Sequence, residues 1–349
     1  MRKLASVQRI SDVLPIEGAD RIELVKVLGW QCVAQKGDFH AGDLCVYFEV
    51  DSFLPVRDCF EMLRGSSFKT NPILGDGFKL RTMKFKGQIS QGLVMRLENF
   101  TELEGKDYEE GFDVTELLGV RLWEMPEVAG SGGTLRQGRP ENIPKTDEVR
   151  IQSSPDLLHE FAGLGYYITT KMDGSSHSVG YRREDGVSYT SHNCTISDDG
   201  KSAFVEHVKS KGIAMKIQDY AENNGFSSVV VQGEWCGAGI QKNRLKLLQP
   251  EWFVFTVILD GRRAGLEKMK EVCEFIGAEM VPVEETGNDL PSVYPSIDQL
   301  LARAKGIGYN NTEREGIVIR PMEPVHSDLI SAPLSMKVLN NKYLLKNDE

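Results

Sequence analysis

The 349-residue chain is 40% hydrophobic, 26% charged and 8% aromatic, and its 51 Asp and Glu against 41 Lys and Arg give a formal net charge of −10. This is the composition of an ordinary globular chain, and no apolar run comes near the roughly 18 residues that a membrane helix needs. The acidic balance argues against a basic coat for gripping polyanions, so any nucleic-acid contact must be a local cationic track.

At roughly 100–200 residues per domain, the length predicts two or three domains. The first residues, MRKLASVQRISDVLP, hold no apolar core of signal-peptide length, so the expected location is the cytoplasm. Cys32, Cys45, Cys59, Cys194, Cys236 and Cys273 are scattered without zinc spacing and read as reduced and structural. Residues 1–125 alternate short apolar segments with turn signals (RIELVKVLG, WQCVAQKG, DLCVYFEVD, FKLRTMKFKG, ISQGLVMRL), a period-2 pattern that predicts a small antiparallel barrel or sandwich. In that stretch Lys79, Arg81, Lys84 and Lys86 fall in one strand-like segment and read either as the cationic track or as a solvated hairpin face. Residues 126–142, rich in Gly, Ser and Pro, read as a linker. Over 143–349 the helical stretches 201–222 and 265–277 alternate with YYITTK, SSVVVQGE, WFVFTVIL and EGIVIR, which predicts an α+β domain.

Candidate chemistry begins where the strand YYITT runs out into Lys171-Met172-Asp173-Gly174. Alone, a lysine beside an Asp-Gly turn is most often a surface residue. It becomes a nucleophile only when its surroundings favour the neutral amine, so the rest of the chain must supply phosphate and metal partners. VVVQ ends in Gly233-Glu234, WFVFTVIL places Phe253 and Phe255 on one face, Glu315-Gly316 opens IVIR, and Lys337 sits in Ser335-Met336-Lys337-Val338. A strand-end carboxylate beside glycine can reach a ribose or a metal-bound water. One of the two rings can stack on a base, although aromatic strand residues are more often core.

This ordered set, spread over about 170–340, resembles the nucleotidyltransferase motifs of the ATP-dependent DNA ligases, RNA ligases and mRNA capping enzymes. The resemblance implies that Lys171 forms a lysyl-AMP and that Asp173 serves the metal and ribose side. It makes Glu234 and Glu315 the metal-shell carboxylates, acting through water on Mg²⁺ or Mn²⁺, with Phe255 the adenine-stacking ring and Lys337 the phosphate contact. Thr170, Asn193 and Val318 join the ATP site, and Ser191-His192-Asn193 takes the place of a motif that contacts nucleic acid, with His192 where an arginine is often found. Ser335 stands where many relatives carry the first lysine of a Lys-x-Lys pair.

Only residues 338–349 follow Lys337, too few for the C-terminal OB domain of DNA ligases and capping enzymes. QGEWCGxGIQ and IPKTDExRIQ look like the RNA ligase branch, and IEGADRIELVKVLGWQCVAQKGDFHAGDLCVYFEVDSFLP with KFKGQISQGL looks like the N-terminal OB module of Deinococcus radiodurans-type RNA ligases. The expectation is therefore an OB-fold barrel followed by an ATP-grasp-like ligase domain, monomeric, acting on RNA or an RNA-containing duplex. A GTP-using capping-type transferase and an OB-fold binding protein with a degenerate transferase domain remain as alternatives.

Overall fold

The computed structural model describes residues 2–124 and 133–347. It divides into two compact units: Met1–Pro126 with Gln152–Pro155 and Asn341–Glu349, and Glu127–Ile151 with Asp156–Asn340. Residues 126–132 of the expected linker lie outside the described residues. Within the rest of that stretch, Leu135–Gln137 forms a strand of the second unit.

In the first unit β1 (Ala5–Pro15) is the spine. An irregularity between Ile10 and Asp12 lets its first half pair with β4 (Leu44–Phe48) and its second half with β2 (Ile22–Val27). The sheet runs β10 (Leu93–Met95), β4, β1, β2, β3 (Trp30–Gln35). The hairpin β8 (Thr82–Phe85) and β9 (Gln88–Gln91) lies along β3, where Gln31 donates to the Ile89 carbonyl at 2.8 Å and the Val33 amide to the Ser90 hydroxyl at 2.9 Å. The result is a nearly closed antiparallel barrel, the OB-type fold. Burial follows the alternation: Val25, Val27, Trp30, Cys32 and Tyr47 fill one core. Phe48, Phe60, Phe78 and Phe100 fill another beside the small sheet of β5 (Ser52–Pro55), β6 (Phe68–Asn71), β7 (Gly75–Lys79) and β11 (Arg121–Leu122). Phe48 meets Phe60 edge to face at 5.5 Å, and truncating such a ring to alanine costs about 3–5 kcal/mol.

The second unit holds two larger sheets. The first runs β12 (Leu135–Gln137), β17 (Cys194–Ile196), β16 (Gly186–Thr190), β15 (Ser175–Arg182), β18 (Ser228–Cys236), β19 (Glu251–Leu259), β20 (Arg262–Arg263), with β21 (Glu279–Met280) beside β19. The second runs β13 (Val149–Arg150), β26 (Met336–Leu339), β23 (Gly316–Pro321), β14 (Gly165–Lys171), β22 (Val283–Asn288), and β24 (His326–Ser327) pairs with β25 (Ala332–Pro333) apart from both. Helices Ala203–Ser210, Ile213–Asn224 and Leu266–Ile276 bury apolar faces on the first sheet. Ser202 caps the first helix, its hydroxyl accepting from the Val205 amide. Left-handed Gly225 and Gly277 end the other two, the conformation glycine adopts without steric cost. Leu266, Met269, Val272, Cys273 and Ile276 recur at helical spacing and are all buried.

One face of the second sheet is apolar, with Ile168, Ile317, Ile319, Met336 and Val338 packed under Leu157, Phe161, Leu290 and Leu300. Because strand side chains alternate, the register Lys171↔Gly316, Thr169↔Val318 and Val318↔Lys337 puts Lys171, Val318 and Lys337 on the opposite face. All six cysteines are free thiols, and among the described residues no helix is long and apolar enough to cross a membrane.

Candidate active site

Lys171 ends β14, and its Nζ donates to Glu315 Oε1 at 2.8 Å. Asp173 follows two residues on, its carboxylate 3.0 Å from Arg244 Nη1. Gly174 lies so close to β18 that a Cβ there would stand 2.5 Å from the Trp235 carbonyl oxygen and 2.7 Å from Cys236 Sγ. The glycine of the four-residue motif is thus required by the strand that carries Glu234. Glu234 pairs in register with Phe253 of β19 and Ser176 of β15.

The electrostatics are unbalanced. Burial works against the Lys171 ammonium, but Glu315, Glu234 and Asp173 together outweigh it and hold the lysine protonated well above its ordinary range. Burial pushes the Glu234 carboxyl up to about 8, helped by Glu315 and Asp173 and opposed by Lys171. Burial also raises Glu315, with Lys171 and Lys337 pulling the other way. Glu315 Oε2 is buried with no hydrogen-bond partner. An unpartnered buried carboxylate oxygen next to a carboxyl that resists ionisation suits a hard divalent cation. No group of three His, Cys, Asp or Glu that could hold a metal ion is found among the described residues.

Phe253 is core, buried and edge to face with Tyr309 at 5.1 Å, whereas Phe255 on the same face stays half-buried. The Phe255 carbonyl accepts from Arg320, whose Nε donates to the Ser335 hydroxyl at 3.1 Å and whose Nη2 pairs with Glu148. Ser335 therefore serves a buried ion pair at the position where the family resemblance expects a lysine. Lys337 lies opposite Val318 on β23 and Arg150 on β13, close enough to Glu315 to pull its pKa down.

Thr170 and the cations of the FKLRTMKFKG stretch lie in surroundings that the sequence did not predict. The Thr170 hydroxyl donates to Glu284 Oε1 at 2.6 Å, so its side chain is committed away from the face that carries Lys171. Lys79 is 5% exposed, with its Nζ 5.5 Å from the Trp123 ring centroid, and does not belong to a surface track. The segment it shares with Arg81, Lys84 and Lys86 is two strands, β7 and β8. Arg81 between them is half-buried, while Lys84, Phe85 and Lys86 are exposed on the β8–β9 hairpin. His192 and Asn193 occupy the β16–β17 loop, and the register Thr190↔Ser178↔Gln232 brings that loop out at the same sheet edge as Glu234. His192 Nε2 stands 3.7 Å from Asp147.

Three residues that sequence reasoning passed over support the site. Arg244 pairs with Asp173, and Arg139 donates to the carbonyls of Ser191 at 2.8 Å and His192 at 2.7 Å. Arg139 lies in the stretch read as linker, where nothing local signals a structural arginine. Glu284 is the third.

Comparison with known proteins agrees with this construction. A family model described as an OB-fold domain matches residues 4–97, and one described as RNA ligase matches residues 165–338. A search of curated proteins gave no match. Among solved structures, Naegleria gruberi RNA ligase in an apo mutant form is 29% identical with a TM-score of 0.87, covering 99% of this chain and 98% of that one. Its complex with PPi is 29% identical at a TM-score of 0.86 over 100% and 99%. A mutant with ATP and Mn is 28% identical at a TM-score of 0.87 over 100% of both. Barrel, motif order and lysine ringed by carboxylates define a nucleotidyl-transferring ligase with an N-terminal OB-fold domain. The chain belongs to the RNA ligase family.

Proposed function

We propose that this ATP-dependent RNA ligase joins a 3′-OH to a 5′-phosphate, in nicked RNA-containing duplexes, through a lysyl-AMP on Lys171 and an adenylylated 5′ end. The observation that carries the reading is the 2.8 Å contact between Lys171 Nζ and Glu315 in a ring of half-buried carboxylates. Lys171 gives up a proton towards Glu315 Oε1, and its amine attacks the α-phosphorus of ATP. The new N–P bond forms as the P–O bond to pyrophosphate breaks. Lys337, two strands over on β26, offsets charge on the phosphates. Asp173, Glu234 and Glu315 would hold a divalent cation, Mg²⁺ or Mn²⁺, through water, and it would supply charge neutralisation and favour the neutral amine. Half-buried Phe255 and Val318 of β23 provide apolar walls for the base. AMP then passes to the 5′-phosphate, freeing Lys171, and the 3′-OH attacks that phosphorus to expel AMP. The exposed Lys84, Phe85 and Lys86 of the OB barrel hold the strand by charge and stacking.

The test is incubation with α-labelled ATP and either metal, followed by denaturation. Acid-labile label on the wild-type protein and none on Lys171→Ala is the expected outcome. Equal labelling of the two proteins overturns the assignment of Lys171. A panel of nicked duplexes with DNA or RNA on each side of the nick then tests the ends, and sealing confined to unpaired strands would remove the nick.

A further inference from the structure

The face of the second sheet turned away from Lys171 carries polar machinery that the reaction scheme does not use. β22 pairs with β14 as Ile168↔Glu285 and then Thr169↔Val283, so Glu284 is an extra residue with no partner on β14. A bulge of this kind re-aims a side chain. Here Glu284 and its neighbour Glu285 both reach Arg303, at 3.0 Å from Nη1 and 3.0 Å from Nε respectively. Strict alternation would send two consecutive residues to opposite faces.

The re-aimed carboxylate is fully engaged. Glu284 Oε1 accepts from the Thr170 hydroxyl at 2.6 Å, and Oε2 takes Arg314 Nη2 at 2.7 Å and Arg303 Nη1 at 3.0 Å. Thr170 immediately precedes Lys171, and Arg314 immediately precedes Glu315. One half-buried carboxylate therefore grips, from behind, both chain segments that deliver the nucleophile and its 2.8 Å partner. The Thr170 amide is also tied beside the bulge, donating to the Pro282 carbonyl at 3.0 Å.

We propose that Glu284 is a positioning residue for lysine adenylylation: the bulge exists to hold Thr170 and Arg314, and through them fixes Lys171 against Glu315. The inference rests on Lys171 being the nucleophile. Reacting groups must be held within about 0.5 Å of productive geometry, and a displacement of about 1 Å costs on the order of 100-fold in rate. Glu284 lies on the sheet face turned away from Lys171, so its loss acts on the rate at saturation and leaves ATP affinity nearly unchanged.

The experiment is single-turnover labelling of the full chain by α-labelled ATP across ATP concentrations, for wild type, Glu284→Gln, Thr170→Val and the double variant, with each rate normalised to the folded fraction from a thermal melt. Expected are a fall of about 10- to 100-fold in the saturating rate for Glu284→Gln, half-saturating ATP within about twofold of wild type, and a double variant no slower than Glu284→Gln. A normalised saturating rate for Glu284→Gln within twofold of wild type, a loss confined to half-saturating ATP, or strictly additive effects would overturn the role of Glu284. Wild-type label that persists in Lys171→Ala would instead remove the reading beneath it, which separates the two failures.

Discussion

An ammonium hydrogen-bonded to a carboxylate is a poor nucleophile, and Lys171 is held in that form by Glu315, Glu234 and Asp173. On the proposed reaction, a cation attracted by the same carboxylates would favour release of that proton, which would couple activation to loading of the site. Asp173 belongs to this balance only while Arg244 keeps its carboxylate in place at 3.0 Å. Arg244→Ala is expected to slow labelling of Lys171 by about tenfold or more, in line with about 1.5–3 kcal/mol for a hydrogen bond to a charged group, with partial recovery in Arg244→Lys. Labelling rates for the three proteins at one metal concentration check this, and equal rates would sink it. Lys171, Asp173, Glu234, Glu315 and Lys337 could be picked out as candidates in the sequence because each lies in or beside an apolar strand and all fall in one order. Arg244 could not, because it reaches Asp173 across 71 positions from a loop without periodicity. Arg139 and Glu284 escaped for the same reason: their partners are distant in sequence, and a bulge leaves no local signal.

At the level of strands, the second unit is fastened by an ion pair that sequence patterning could not reveal. Glu148 lies just before β13 and Arg320 on β23, and Arg320 also bonds to Ser335 and to the Phe255 carbonyl of the first sheet. Burial alone would raise the Glu148 carboxyl, yet Arg320 and Arg263 hold it below its ordinary range. A depressed folded-state value means stability that is present above the unfolded carboxyl's titration, near pH 4.3, and is lost as pH falls through the folded value. Glu148→Gln is expected to destabilise the protein by about 3–5 kcal/mol at neutral pH, the cost of orphaning a buried partner. Its melting temperature should approach that of wild type in acid, where Glu148 becomes neutral as well. Melting curves of both proteins between neutral pH and the acid limit decide it, and parallel curves would exclude the pair as a source of pH dependence. The strands themselves were readable from alternation and the helix Leu266–Ile276 from its pattern, whereas the stretch 201–222 read as helical is two helices, Ala203–Ser210 and Ile213–Asn224, parted at left-handed Gly212. β12 was not readable, since the surrounding glycines, serines and prolines read as linker. Nor was the break after Lys79, where a single apolar and basic run folds as two strands and buries its first lysine against Trp123.

Over the whole chain, a net charge of −10 must be reconciled with a polyanionic substrate. The long-range field repels RNA, so binding depends on short-range cations that displace counterions from the phosphates. Of the four cations in the FKLRTMKFKG stretch, only Lys84 and Lys86 are fully exposed, and they flank Phe85, itself 38% exposed. A ring between two ammoniums fits a strand whose bases stack and whose phosphates pair. They lie on the first unit, whereas Lys171 and its carboxylates lie on the second, so grip and chemistry can be lost separately. Replacing both lysines with alanine is expected to weaken sealing of a nicked duplex far more than labelling of Lys171. The slope of log affinity against log salt should shrink by about 0.9 for each phosphate contact removed. Binding of a nicked duplex measured from low to physiological salt gives the slope. A double variant with the wild-type slope would show that Lys84 and Lys86 are only a solvated hairpin face, and would move the search for the RNA track to other elements.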